Sequence, residues 1–206
     1  MTRIRALVLV VAAASLLTAC GGAGTGRSGG ESNGPGKLTA KFDMTGKEVT
    51  RELIPKSGAV NAFSIIPKSG SSVNIIDYQI NLANYDLDPQ TLSAGYPKKD
   101  GDLRIDIQVL GDKDATEKTP IKAGTYPANL PADGENVYGK AWHVIIRYFE
   151  DGKIKDSGLN AAYPRGARKG FVKINSISGG VLTGEIDLSD DHASIKGTFS
   201  AKVDQK

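Results

Sequence analysis

The sequence predicts an all-β fold, an antiparallel β-sandwich of about eight to ten strands, and two observations carry that expectation. Beyond residue 36, apolar residues recur with period two rather than at the helical repeat, and Gly-containing turn dipeptides separate the runs. A small up-and-down β-barrel is the alternative closure of the same strands.

The elements follow in order. Ile54-Pro55-Lys56-Ser57-Gly58 recurs as Ile66-Pro67-Lys68-Ser69-Gly70, with Val-Asn after each copy. Two copies are too few for a solenoid, so the echo reads as two strands ending in similar turns, with each proline where a missing donor does no harm. Ile76, Tyr78, Ile80 and Leu82 alternate with Asp77, Gln79 and Asn81, and Leu103, Ile105, Ile107 and Val109 alternate with Arg104, Asp106 and Gln108. Between them, Asp88 and Pro89 suit the N-cap and first position of a short helical turn reaching Ala94. Trp142, Val144, Ile146 and Tyr148 form a fourth alternating set, against His143 and Arg147. In a strand such sets fall on opposite faces, so each segment is expected to have a dry side and a wet side. Asp100-Gly101, Asp151-Gly152 and Gly179-Gly180 are turn dipeptides. The last of them organises a C-terminal meander over 170–178, 181–188 and 193–203.

The start of the chain reads differently. Arg3 and Arg5 precede an unbroken apolar run from Ala6 to Leu17. As a helix, that run would span only ~18 Å of a ~30 Å hydrocarbon core, so it has the dimensions of an export signal rather than a permanent span. It ends in Leu17-Thr18-Ala19-Cys20, and Cys20 is the only cysteine. This tetrapeptide resembles the lipobox of bacterial lipoproteins. The resemblance implies a signal peptide over 1–19, diacylglyceryl attachment to the Cys20 thiol and cleavage before Cys20. Two or three acyl chains, each CH₂ worth about 0.8 kcal/mol, would hold the chain to a membrane. It also implies a place in the cell envelope outside the cytoplasm, in the outer membrane of a two-membrane organism, since Gly21 rather than Asp follows the cysteine. An ordinary cleaved signal with an incidental Cys20 is the alternative.

Residues 20–36 form the lipidated cysteine and a tether with eight glycines between Gly21 and Gly36, which has nothing large and apolar to bury. As a random coil it reaches roughly 20–24 Å. Residues 37–206 then make a single β domain, large enough for a real core. Without Arg3 and Arg5 the 26 basic residues become 24 against 23 acidic ones, a net +1. That balance argues against nucleic acid as a partner.

Candidate chemistry is sparse. The two histidines, His143 and His192, read as a solvent-facing strand residue and a residue of a polar hairpin loop. No nucleophile motif or metal-ligand spacing stands out, and no cofactor is expected. Asp112, Asp114 and Glu117, like Asp100, Asp102 and Asp106, lack the order of a calcium loop and read as solvated turns, with Asp106 on a wet strand face. Three tyrosines precede proline, Tyr96, Tyr126 and Tyr163, so their backbones are held extended. Such rings stack on sugars or dock a partner, or they plug the open ends of the sandwich, and plugging is the preferred reading. Arg165, Arg168 and Lys169 form the one concentrated basic loop, which either meets an anionic surface or is simply solvated, the latter preferred.

Gly184-Glu185-Ile186-Asp187-Leu188 followed by Ile195-Lys196-Gly197-Thr198-Phe199 is similar to the C-terminal pattern of assorted bacterial lipoproteins, and that pattern implies no activity. The functional expectation is a non-catalytic binding or structural module, meeting the membrane through Cys20 and a glycan, lipid or protein partner through its domain. A hydrolase whose carboxylates converge only in the folded chain is the alternative.

Overall fold

The computed structural model describes residues 36–44, 47–65, 74–87, 95–128, 137–159 and 168–203. The chain divides into two units, Met1–Glu31 and Ser32–Lys206, and all described residues belong to the second. The signal segment, Cys20, the tether up to residue 35, the second Pro-Lys-Ser-Gly copy, the 88–94 turn, Tyr163 and Arg165 lie outside the described residues.

The fold is all-β. Its strands are β1 (Gly36–Met44), β2 (Lys47–Leu53), β3 (Ser57–Ile65), β4 (Ile75–Ala83), β5 (Leu103–Leu110), β6 (Gly124–Pro127), β7 (Ala141–Glu150), β8 (Lys153–Leu159), β9 (Lys169–Ser178), β10 (Val181–Ser189) and β11 (Ala193–Val203). They run in the order β6-β9-β10-β11-β3-β4-β5-β7-β8, with β1 paired to β11 and β2 to β1. All pairings are antiparallel except β11 with β3, a short parallel link at Lys202↔Ala59 and Val203↔Val60. The sheet does not close into a barrel. Instead it folds over itself in a sandwich-like manner. The Phe42 ring of β1 lies 5.7 Å from that of Tyr148 on β7, and Arg51 of β2 reaches Glu150 of β7 at 2.6 Å.

The meander expected at the C-terminus is present as β9, β10 and β11, within one or two residues of the predicted bounds at each end. Gly179 and Gly180 have φ of 57° and 73°, and Asp151 and Gly152 have 54° and 71°. Both pairs occupy the left-handed region that a two-residue type I′ hairpin demands. The first Pro-Lys-Ser-Gly copy lies between β2 and β3, with Pro55 just past the end of β2. The alternating apolar residues of β1, β4, β5, β7 and the meander converge on one core, in which Leu38, Ile80, Ile105, Ile107, Ile146 and Ile195 have no exposed surface. Burying each such side chain contributes roughly 1.5–3 kcal/mol.

Two expectations fail in the same sheet. Apart from the half-buried Gln79, the polar residues of β4 and β5 do not lie on a wet face: Asp77, Asn81, Arg104, Asp106 and Gln108 are all buried. Asp106, expected on a wet face, is only 2% exposed, because complementary polar groups in adjacent strands occupy that side with it. Trp142 leaves the face shared by Val144, Ile146 and Tyr148. The β5–β7 register shifts between Gln108 and Val109, so Ala141 rather than Trp142 faces the main core. The extra residue of this bulge sends Trp142 to a second apolar cluster with Ile75, Leu110 and Val137.

Candidate functional site

The outer face of the β3-β4-β5-β7 sheet carries the site. Pairing aligns Asn61, Gln79, Gln108 and His143 in one row across four strands. The neighbouring row contains Asn81 opposite Asp106, and beyond it Arg104 stands opposite Arg147. Period-two geometry puts these residues on the side opposite the core-facing Tyr78, Ile80, Ile105 and Ile107. A depression of about 280 Å³ opens among them, lined by Gln79, Arg104, Asp106, Gln108, Ile145 and Arg147, with Phe63 and Tyr96 also in its wall.

Its charged centre is a triad. Arg104 Nε donates to Asp106 Oδ1 at 2.6 Å, and Arg147 Nη1 donates to Asp106 Oδ2. Arg104 is held further by Nη2 to Asn81 Oδ1 at 2.8 Å and Nη1 to the Gly95 carbonyl at 3.2 Å. Arg147 Nε lies 3.3 Å from Asp156 Oδ1, and its guanidinium sits 5.3 Å from the centroid of the Tyr96 ring. Burial pushes the Asp106 carboxyl up from its ordinary range, and the two guanidiniums pull it back. The geometry favours the charged triad, since both carboxylate oxygens accept charge-assisted hydrogen bonds.

Next to the triad, Gln79 Nε2 donates to Asp77 Oδ2 at 2.9 Å, while Asp77 Oδ1 is buried with no hydrogen-bond partner. Burial pushes the Asp77 carboxyl up to about 6, with the Gln79 hydrogen bond opposing. His143, expected to face solvent, stacks on Trp142 at 4.9 Å, and its Nε2 is buried without a hydrogen-bond partner. Burial first, and Arg168 second, push its imidazole down to about 4. It is therefore neutral at physiological pH.

Of the described residues put forward in the sequence as ligand-binding candidates, Tyr96 alone lines the depression, and it is 40% exposed there. Tyr126 on β6 is buried in the main core, and its hydroxyl donates to the Lys122 carbonyl at 2.9 Å. Arg168 is part-buried and donates to the Trp142 carbonyl, which ties the start of β9 to β7. Lys169 is exposed at the first position of β9. The structure thus does not gather Tyr96, Tyr126, Arg168 and Lys169 into one site. Sequence reasoning missed Arg104 and Arg147 as site residues, and it weighed Asp106 only as a calcium ligand or a solvated strand residue, not as the partner of both arginines. Their signal is opposite charge two residues apart on one strand face, a spacing that lets Arg104 and Asp106 pair along β5. Among the described residues, no three His, Cys, Asp or Glu side chains gather as a metal site. Asp112 instead pairs with Lys122 at 2.5 Å.

No protein-family model matches the chain, and no curated protein or solved structure matches it either.

Proposed function

We propose that the chain is a lipid-anchored lipoprotein of the cell envelope whose β domain binds a ligand rather than transforming one. The address rests on the leader: Arg3 and Arg5, the Ala6–Leu17 run, and Leu17-Thr18-Ala19-Cys20 with Cys20 as acyl acceptor. Gly21 after the cysteine favours the outer membrane where the organism has one. The binding reading is carried by one observation, the pre-arranged Arg104–Asp106–Arg147 triad in the wall of a depression that Tyr96 flanks. The triad's side chains are already held by hydrogen bonds, so a ligand would meet that wall at little ordering cost.

Geometry supports binding over hydrolysis. Asp106 is the one carboxylate among the described lining residues, and guanidinium donors already occupy both of its oxygens. Two-carboxylate glycoside cleavage needs a second acid about 5–9.5 Å away across the substrate.

Two measurements test the reading. The mature protein should carry acyl mass on Cys20 and fractionate with membrane, and Cys20→Ser should remove both; a bare thiol on released protein would sink the address. Immobilised full-length protein should retain a component of detergent-solubilised envelope that the Tyr96→Ala/Gln108→Ala variant loses. Identical retention by both would sink the assignment of the site.

A further inference from the structure

Resting on that binding reading, we infer that the depression takes a neutral saccharide ring, stacked on Tyr96 and hydrogen-bonded by Gln79 and Gln108. Charge comes first. Arg104 and Arg147 are matched by Asp106 and Asp156, so the site offers no surplus cation to an anion. All three Arg104 nitrogens are engaged, by Asp106, the Gly95 carbonyl and the Asn81 amide. A phosphate or carboxylate bound at Arg104 would have to displace Asp106 from its buried pairing, which leaves a charge desolvated without its partner.

The remaining polar groups suit hydroxyls. A sugar hydroxyl both donates and accepts, and a carboxamide presents both functions in one plane. Gln79 gives one N–H to Asp77 and keeps its carbonyl oxygen and second N–H. The Gln108 amide has no hydrogen-bond partner among the described residues. The row they share continues to Asn61 Nδ2 and His143 Nε2, both buried and without partners. Buried polar atoms left unsatisfied are costly, so this row favours a ligand or water that brings its own hydrogen bonds.

Aromatic placement completes the set. Tyr96 is 40% and Phe63 38% exposed, two of the few large apolar side chains left open among the described residues. Phe63 belongs to β3 while Tyr96 covers Arg147 of β7, three inter-strand steps away or about 14 Å. Between them lies a polar floor. The aliphatic C–H face of a pyranose matches an exposed ring, and its edge matches the amides. A volume of about 280 Å³ falls at the small end of ligand sites, near 300 Å³, which fits one ring or the terminal unit of a longer glycan. An acyl chain would leave the polar floor unsatisfied.

The test uses the full mature chain, ¹⁵N-labelled, in micelles of a detergent without sugar head groups. Methyl glycosides of glucose, galactose, mannose and N-acetylglucosamine are titrated against glucuronate and glucose 6-phosphate. At least one neutral glycoside should shift the Gln79 and Gln108 side-chain amide resonances, with an affinity unchanged by added salt. Tyr96→Ala should weaken binding about tenfold, while Tyr96→Phe retains it and an unaltered backbone spectrum shows that both variants fold. Salt-sensitive binding of the anionic compounds alone would overturn the neutral-sugar inference and leave the binding reading standing. No shift of those amides by any neutral glycoside would also overturn it, and the envelope-capture comparison then decides the binding reading separately.

Discussion

Arg104 Nε lies 2.6 Å from Asp106 Oδ1, two residues further along β5, with both side chains buried on the outer face of the sheet. The pair is unusual for a strand whose other face forms the core, because it leaves β5 without a solvent side. Its cost and its purpose are separable. Removing one member strands a buried charge, whereas removing both removes the desolvation penalty with the attraction.

Asp106→Ala should therefore destabilise the domain by about 3–5 kcal/mol, since two guanidiniums lose their shared carboxylate. Arg104→Met combined with Asp106→Leu should cost clearly less, because Arg147 keeps Asp156 at 3.3 Å. Urea unfolding of the three proteins checks the order. A double variant less stable than Asp106→Ala would show that the pair is worth more than its desolvation.

Much of the scaffold was legible in advance, and the reasons are local. Gly179-Gly180 names a hairpin because few residues other than glycine sit comfortably at two successive positive φ values, so the meander from β9 to β11 follows from sequence alone. The face assignments of Tyr78, Ile80, Ile105 and Ile107 were equally readable from period two. What period two cannot say is whether the second face is covered. The burial of Asn81 and Asp106 goes with partners in other strands, Arg104 and Arg147, and the short parallel link of β11 to β3 depends on chain-wide topology. Trp142 was misplaced for a geometric reason: a single bulged residue inverts every facing assignment on one side of it. Tyr96 is legible through its proline, while the place of Arg147 beside Asp106 depends on the β5–β7 register.

Gly197 tests the seam between β1 and β11. Its φ is +139°, and a Cβ built there would lie 1.9 Å from the Lys37 backbone oxygen. Gly197→Ala should cost at least about 2 kcal/mol through backbone strain and lost pairing. Hydrogen exchange localises the effect, with amides of Leu38–Phe42 expected to lose protection before those of β4 and β5. Uniform loss across all strands would contradict a seam-specific role.

Asp77 and His143 should give opposite pH dependences that mask each other. The Asp77 carboxyl is raised from 3.8 to about 6, so the folded state holds its proton longer and stability is lost as pH rises through that window. The His143 imidazole is lowered from 6.5 to about 4, so the unfolded state takes up its proton first and stability is lost as pH falls from 6.5 to 4. Each shift corresponds to about 3 kcal/mol at its full extent. Relative to the parent, Asp77→Asn should gain stability between pH 4 and 7, while His143→Gln should gain it between pH 7 and 4. Chemical denaturation of each variant at both ends of that range checks the signs, and a pH-independent difference for either would refute the corresponding assignment.

The chain has a single tryptophan, which makes the His143 environment directly observable. Trp142 and His143 stack with centroids 4.9 Å apart and planes 28° from parallel, so a charged imidazolium would lie against the indole face. Protonation should therefore change Trp142 emission, and the burial that depresses His143 fixes where: a midpoint near 4 rather than 6.5. Arg168, which donates to the Trp142 carbonyl, adds a second cation that disfavours the proton. Arg168→Gln should then move the midpoint upward, by less than a full return to 6.5 because burial is the larger cause. His143→Gln should abolish the transition while leaving the emission maximum at neutral pH nearly in place. The expected reading is a fluorescence titration of the folded chain, monitored with far-UV dichroism to keep it apart from acid unfolding. A midpoint near 6.5 in the parent protein would mean that the imidazole is solvated and that the polar row across β3, β4, β5 and β7 is open to water at its His143 end.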